Sequence, residues 1–247
     1  MKLNRTTQRT IEILEIISQK PEGASLDELC DRLELPKTSA YDIVTTLEAL
    51  GMVHADWGQK KRYTIGLTAY RIGINYTNNL NIMNVMEPEL KQFAHEIGKT
   101  VFFGVRSDCE VVYICKFEPI ITTASVGSRI PLHCTSLGKA ILAYSEPDIQ
   151  QQLLKRMNFV KKTERTITDP VRLMEELEQV RGQGYALDAR EMEECVGAPV
   201  FGADGSLVGA VSASTLYRDA VNYEELGRIV SRKAKQLSGM LGYVGRK

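Results

Sequence analysis

The sequence predicts an α/β chain of the α+β kind, built in two parts, on three observations. At 247 residues it is long enough for two modest cores. Apolar residues recur at the helical period over the first fifty positions and again beyond Asn84, with short β-type runs after each helical region. The later runs come in adjacent pairs joined by turns, with helices before, between and after them. That order argues for a mainly antiparallel sheet covered by helices.

The first helix is read from Ile11, Ile13, Leu14, Ile16 and Ile17, which share one face between Thr10 and Ile17, with Thr6 and Thr7 as candidate caps. Pro21-Glu22-Gly23 breaks the chain, and Ser25 can cap a short second helix carrying Leu26, Leu29 and Leu33. After a tight turn at Glu34 to Pro36, a third helix starts at about Lys37 on the stripe Ala40, Ile43, Val44, Leu47 and Leu50, and Gly51 stops it. Met52 to Trp57 and Arg62 to Ile65 flank Gly58-Gln59-Lys60-Lys61 as a hairpin with a basic tip. Three helices and a hairpin make a winged helix-turn-helix over 1–66. Residues 67–80 continue as a linking helix rich in Tyr and Asn, and 81–247 form the second domain.

That second domain opens with an amphipathic helix from about Asn84 to Ile97, followed by strands at Thr100 to Ser107, Glu110 to Phe117 and Ile121 to Val126. Thr135 to Tyr144, Glu146 to Met157 and Asp169 to Gln183 read as helices, the last opening on Asp169-Pro170. Cys195 to Phe201 and Ser206 to Thr215 are strands about the turn Ala203-Asp204-Gly205, and a final helix runs from about Tyr223 to Leu241.

Lys plus Arg equals Asp plus Glu at 31 each, so any nucleic-acid footprint must be local. Five scattered cysteines without C-x-x-C spacing point to a reducing cytoplasm rather than a disulfide framework. The N-terminal apolar residues are broken by Glu12 and Glu15, so neither a signal peptide nor a membrane span is expected there.

The third helix carries Lys37, Thr38, Ser39, Tyr41, Asp42 and Thr45 opposite its apolar stripe. Such short polar and basic groups near a helix start suit base edges and phosphates, though a solvated face would hold them too. Residues 1–66 hold nine basic and ten acidic side chains, so net charge does not decide between the two. Distribution favours double-stranded DNA: Lys2, Arg5 and Arg9 lead into the first helix, and Lys60, Lys61 and Arg62 sit at the wing tip.

In the second domain, the run from Gly127 to Ala140 turns from a polar cluster into a helix and could present amides and hydroxyls to an anion. Capping by Thr135 or Ser136 is the alternative. Ser136-x-x-Lys139 has the spacing of a lysine-activated serine, but the companion motifs of such enzymes are absent, and Gly138-Lys139 is not a phosphate loop. His133, Cys134, Cys109 and Cys115 match no zinc framework. Cys115 alternates with Val111 and Tyr113 along a strand and reads as buried core. No catalytic residue, metal or cofactor is expected. Ser212 and Ser214 point to one face of a strand, where they either pair internally or meet a polar ligand, with Asp188 and Cys195 on the preceding segments. Together these residues would line a small pocket suited to an organic acid.

Four stretches, taken in order, carry a family resemblance. They are Gln8-Arg9-Thr10-Ile11-Glu12-Ile13-Leu14; Leu35-Pro36-Lys37-Thr38-Ser39-Ala40-Tyr41; Pro131-Leu132-His133-Cys134-Thr135-Ser136-Leu137-Gly138-Lys139-Ala140; and Cys195-Val196-Gly197-Ala198-Pro199-Val200-Phe201 followed by Asp204-Gly205. The chain resembles the IclR family of bacterial transcriptional regulators over essentially its whole length. The resemblance implies a winged helix-turn-helix on operator DNA, a GAF-like effector domain, and homodimers that often pair into homotetramers. The implied effector is a small metabolite, commonly a carboxylate such as glyoxylate, pyruvate, an aromatic acid or a sugar acid. Residue by residue, it puts effector contacts on Ser136, Leu137, Asp188, Cys195, Ser212 and Ser214. One departure stands beside these: Arg190-Glu191-Met192-Glu193-Glu194 is about three residues shorter than the family's usual loop bordering the pocket.

Overall fold

The structure is a computed structural model that describes residues 3–56, 61–79, 81–118, 124–189, 193–216 and 222–245. The chain divides into two compact units, Met1–Leu80 and Asn81–Lys247.

In the smaller unit, α1 (Arg5–Ser18), α2 (Leu26–Leu33) and α3 (Lys37–Ala49) precede a two-stranded antiparallel sheet of β1 (Val53–Asp56) and β2 (Arg62–Ile65), and α4 (Leu67–Asn79) follows. Ile13, Ile17, Leu29, Ala40, Val44, Leu47, Val53 and Tyr63 form one core. The cap of α1 is Asn4, whose side chain accepts from the Thr7 amide, so the helix begins a turn earlier than a Thr6 or Thr7 cap would start it. Ser25 caps α2 in a reciprocal box with Glu28. Gly51, at φ +68°, takes the left-handed turn that ends α3. Leu50, expected in the buried stripe, is exposed, because the chain has already left the helix when it reaches the core edge.

In the larger unit, α5 (Asn81–Ile97) leads into one six-stranded antiparallel sheet ordered β5-β4-β3-β8-β7-β6. Its strands are β3 (Thr100–Ser107), β4 (Glu110–Phe117), β5 (Arg129–Pro131), β6 (Ala186–Ala189), β7 (Glu193–Phe201) and β8 (Leu207–Leu216). Between β5 and β6 come α6 (Ser136–Tyr144), α7 (Pro147–Arg156) and α8 (Pro170–Gln183), and α9 (Tyr223–Met240) ends the unit. Phe102, Tyr113, Leu137, Ile141, Leu173, Leu177, Ala186 and Ala210 pack as a core between one sheet face and α6 to α8. α5 and α9 pack on β3, β7 and β8 and on each other.

Two strand assignments differ from the sequence reading. The strand expected at Ile121 to Val126 falls partly outside the described residues, and 124–126 are not in a strand; the partner of β4 is Arg129–Pro131. β6 is a strand that the sequence does not announce, because four residues after the αL turn at Gly184 leave no readable alternation.

The β3/β4 pairing holds a bulge. Phe103 faces Cys115 and Gly104 faces Tyr113, so β4 spends one extra residue, Ile114, at that step. Tyr113 thereby shares a face with Phe102, while Cys115 turns to the face of Phe103. Cys115 is mostly buried, but it does not share the side of Tyr113 as strict alternation had suggested, and burial pushes its thiol up to about 12.

Candidate functional site

The first site is the outer face of α3. Ala40, Val44 and Leu47 are buried, and one turn round the helix Thr38, Tyr41 and Asp42 are exposed with Thr45 beside them. Their spacing of three and four residues makes them neighbours on one surface. Tyr41 is 52% exposed, which is high for so large an apolar ring. Pro36 occupies the cap position and supplies no side-chain hydrogen bond to the first-turn amides of α3. Lys37 pairs with Asp27 at 2.7 Å, both exposed, and that hydrogen bond raises the lysine's pKa. Ser39 is half-buried, and the Thr45 hydroxyl donates to the Tyr41 carbonyl at 2.8 Å.

Arg5 is exposed and Arg9 half-exposed on the first turns of α1. Lys61 lies 3.2 Å from Glu48 and 5.0 Å from the Tyr63 ring centre. Arg62, expected at the wing tip, is turned inward instead. Its guanidinium donates to the Gly23 carbonyl at 2.7 Å and to Glu28 at 3.2 Å, clamping β2 to the start of α2. Lys60 lies outside the described residues.

The second site is on the sheet face that meets α6. Residues directly opposed across antiparallel strands share a face. Asp188 opposes Cys195, Cys195 opposes Ser214 and Ser214 opposes Thr100, giving one row across β6, β7, β8 and β3. The next row on that face runs Ala186, Gly197, Ser212, Phe102, Lys116. Ser212, Ser214 and Thr100 are buried, and Asp188 and Cys195 are half-buried. The start of α6 lies against this face: a Cβ on Gly197 would meet the Ser136 carbonyl carbon at 2.7 Å and the Leu137 nitrogen at 2.9 Å. Thr135 caps α6 by accepting from the Gly138 amide at 2.9 Å. Four of the six expected pocket residues thus fall in these two rows, and Ser136 and Leu137 form the helix start beside them. Thr100, Phe102 and Lys116 were not named from sequence, because register across strands distant in the chain has no local signal.

The other chemistries considered from sequence find different geometry here. The Lys139 ammonium, buried to 1% exposure, is taken up by Glu176 and by the Leu187 carbonyl at 3.0 Å. It ties α6 to α8 and β6. His133 is buried against the Phe159 ring, with Nε2 3.1 Å from the Val160 carbonyl oxygen, and burial pushes its pKa down. Cys134 Sγ donates to the Pro131 carbonyl at 3.4 Å. Among the described residues no three His, Cys, Asp or Glu side chains are placed to hold a metal ion, and no helix is long and apolar enough to cross a membrane.

Comparison with known proteins identifies the family. The family described as bacterial transcriptional regulator IclR C-terminal matches residues 74–239, and the IclR helix-turn-helix domain matches 6–56. The chain belongs to the IclR family. It is 28% identical to the HTH-type transcriptional regulator KdgR of Escherichia coli over 239 residues, covering 94% of this chain and 90% of that protein. The IclR crystal structure from Thermotoga maritima superposes with a TM-score of 0.75 at 30% identity, over 96% of this chain and 99% of that one. An IclR homologue from Microbacterium hydrocarbonoxydans, solved in complex with 4-hydroxybenzoate, shares the fold at a TM-score of 0.81 and 19% identity, over 96% and 98% of the two chains. As an IclR protein the chain is a DNA-binding transcriptional regulator with a C-terminal effector domain, and not an enzyme.

Proposed function

We propose that this IclR-type regulator binds a two-fold symmetric operator as a cytoplasmic homodimer or pair of dimers, and that a small organic acid on the Ser212 and Ser214 face sets its DNA affinity. The regions 1–66, 67–80 and 81–247 then act as reader, linker and sensor. The outer face of α3 enters the major groove through Thr38 and Tyr41, with Lys37, Ser39 and Thr45 beside them, and its uncapped amides meet a phosphate. Arg5, Arg9, Lys60 and Lys61 flank the groove on phosphates. Arg62 acts indirectly, by holding β2 on α2. Leu67, Tyr70 and Ile72 on α4 and Ile11 on α1 leave large apolar side chains exposed, which supports pairing of two copies through these helices.

The observation that carries the sensor half is the polar row Asp188, Cys195, Ser214, Thr100 lying beside the start of α6. The hydroxyls of this buried face are hydrogen-bonding groups that a polar ligand can address and an apolar one cannot. The 4-hydroxybenzoate of the Microbacterium homologue, an acid bearing a hydroxyl, has this chemistry. An acid alters DNA affinity only by preferring one arrangement of the reader domains over another.

The test is a fluorescence titration of the protein on DNA from upstream of its own gene, over a range of salt, with and without pyruvate, glyoxylate and 4-hydroxybenzoate. Tight, salt-sensitive binding that one acid shifts, and that Ser212→Ala with Ser214→Ala makes unresponsive, is the expected result. A response that survives the double substitution removes this face from the reading. Replacing Tyr41 and Lys37 by Ala should weaken DNA binding at least about tenfold while leaving acid binding intact, with Lys37 contributing about one unit of the salt slope.

A further inference from the structure

Lys116 lies on β4 beyond the three residues, Glu110 to Val112, that pair with β5, on the side of β4 away from β3 where no other strand pairs with it among the described residues. Edge lysines ordinarily extend into water. This side chain is only 11% exposed. It is folded inward, with its ammonium 5.8 Å from the centre of the Phe102 ring and 3.0 Å from the Glu118 carboxylate.

The bulge at Ile114 puts it there. With unbroken alternation Lys116, three residues beyond Tyr113, would face the opposite side of the sheet. The extra residue returns Lys116 to the face of Tyr113 and Phe102, whose rings lie 4.8 Å apart. Phe102 is next to Ser212 in the same row. Neighbouring strands are about 4.8 Å apart, so Ser212 is one strand spacing from Phe102, while Cys195 is two strands across and two residues along, about 12 Å away.

We propose that Lys116 is the cation that anchors the effector's carboxylate, with Ser212, Ser214 and Thr100 receiving a hydroxyl or oxo group at the other end of the same small acid. This rests on the organic-acid reading above. The expected pocket residues supply hydroxyls, a thiol and the acidic Asp188 but no positive charge, and Lys139 nearby is engaged by Glu176 and the Leu187 carbonyl. Glu118 shows the geometry a carboxylate takes against Lys116, and so acts as an internal competitor that an acid displaces. Phe102 gives the stem of Lys116 and any apolar part of the acid a flat surface.

The experiment is calorimetric titration of the full-length protein with pyruvate, glyoxylate and 4-hydroxybenzoate, and with methyl pyruvate and methyl 4-hydroxybenzoate as uncharged counterparts. For any acid that binds, Lys116→Met should weaken binding about tenfold or more, Lys116→Arg should restore most of it, and Glu118→Gln should tighten it, while the esters respond to none of these changes. Should Lys116→Met misfold by circular dichroism, Glu118→Gln carries the test, and unchanged acid affinity in that variant overturns the proposal. If Lys116→Met folds and binds the acid as tightly as the parent, while the Ser212 and Ser214 double substitution does not, Lys116 is excluded and the pocket stands. If none of the three acids binds the parent protein, the organic-acid reading itself falls, and this inference with it.

Discussion

Gly197 on β7 and Ser136 at the start of α6 approach so closely that a methyl group on the glycine would lie 2.8 Å from the Ser136 carbonyl oxygen. Backbone cannot retreat as a flexible side chain can, so Gly197→Ala must push the helix start away from the sheet. The expected cost is about 1–3 kcal/mol, the range for overpacking a close contact. The larger unit's melting temperature should fall by several degrees. Acid binding should weaken further than stability alone explains, because the displaced turn borders the Ser212 row. An unchanged melting temperature would show that the helix and sheet are not pinned together here.

The ion pair of Lys139 with Glu176 gives a second prediction. Lys139 is buried and its ammonium also donates to the Leu187 carbonyl, so removing it strands a carboxylate and an acceptor at the junction of α6, α8 and β6. Breaking a buried pair from one side typically costs about 3–5 kcal/mol, and the partial exposure of Glu176 places Lys139→Met near the lower end. Removing Glu176 as well, in a Lys139→Met, Glu176→Leu protein, should recover part of the loss. Urea denaturation checks both. Neither protein, nor the parent, should turn over p-nitrophenyl acetate.

A third prediction concerns acid stability of the smaller unit. Glu28 accepts from Lys20 at 2.9 Å, and this hydrogen bond, followed by that from the Ser25 amide, holds its carboxyl at about 2 against an ordinary 4.5. A depressed carboxylate contributes stability that is fully present above its unfolded pKa and is lost as pH falls through its folded one. The contribution is therefore expected at neutral pH, declining from about 4.5 and gone below about 2. Glu28→Gln should lower the melting temperature at pH 7 and differ least from the parent at pH 2. A gap independent of pH would assign the loss to the capping box's shape and not to its charge.

Much of the fold could be read locally. Ser25 with Glu28, Asp169 before Pro170, and Gly51 after α3 are caps and stops whose partners lie within a few residues, and each sits where its chemistry put it. The misreadings have equally physical causes. Asn4 outcompeted Thr6 and Thr7 as the cap of α1 because the apolar stripe marks where a helix must be buried, not where it first becomes helical. Arg62 was assigned by its place beside a basic tip, but its partners Gly23 and Glu28 are more than thirty positions earlier in the chain, and they turned it inward.

The sequence alone determined the two-part plan, the order of nearly every helix and strand, the family, and the residue types from which a reader helix and a polar pocket can be built. Periodicity, capping and turn chemistry act over a few residues, so they are written in the order of the letters. Only the tertiary structure decided which of those residues meet. The row Asp188, Cys195, Ser214, Thr100 depends on register between strands up to about a hundred residues apart. The inward turn of Lys116 depends on one extra residue in β4. A shift of a single residue turns every following side chain to the other face of a sheet, and that choice is made by packing against α6 and not by the strand itself.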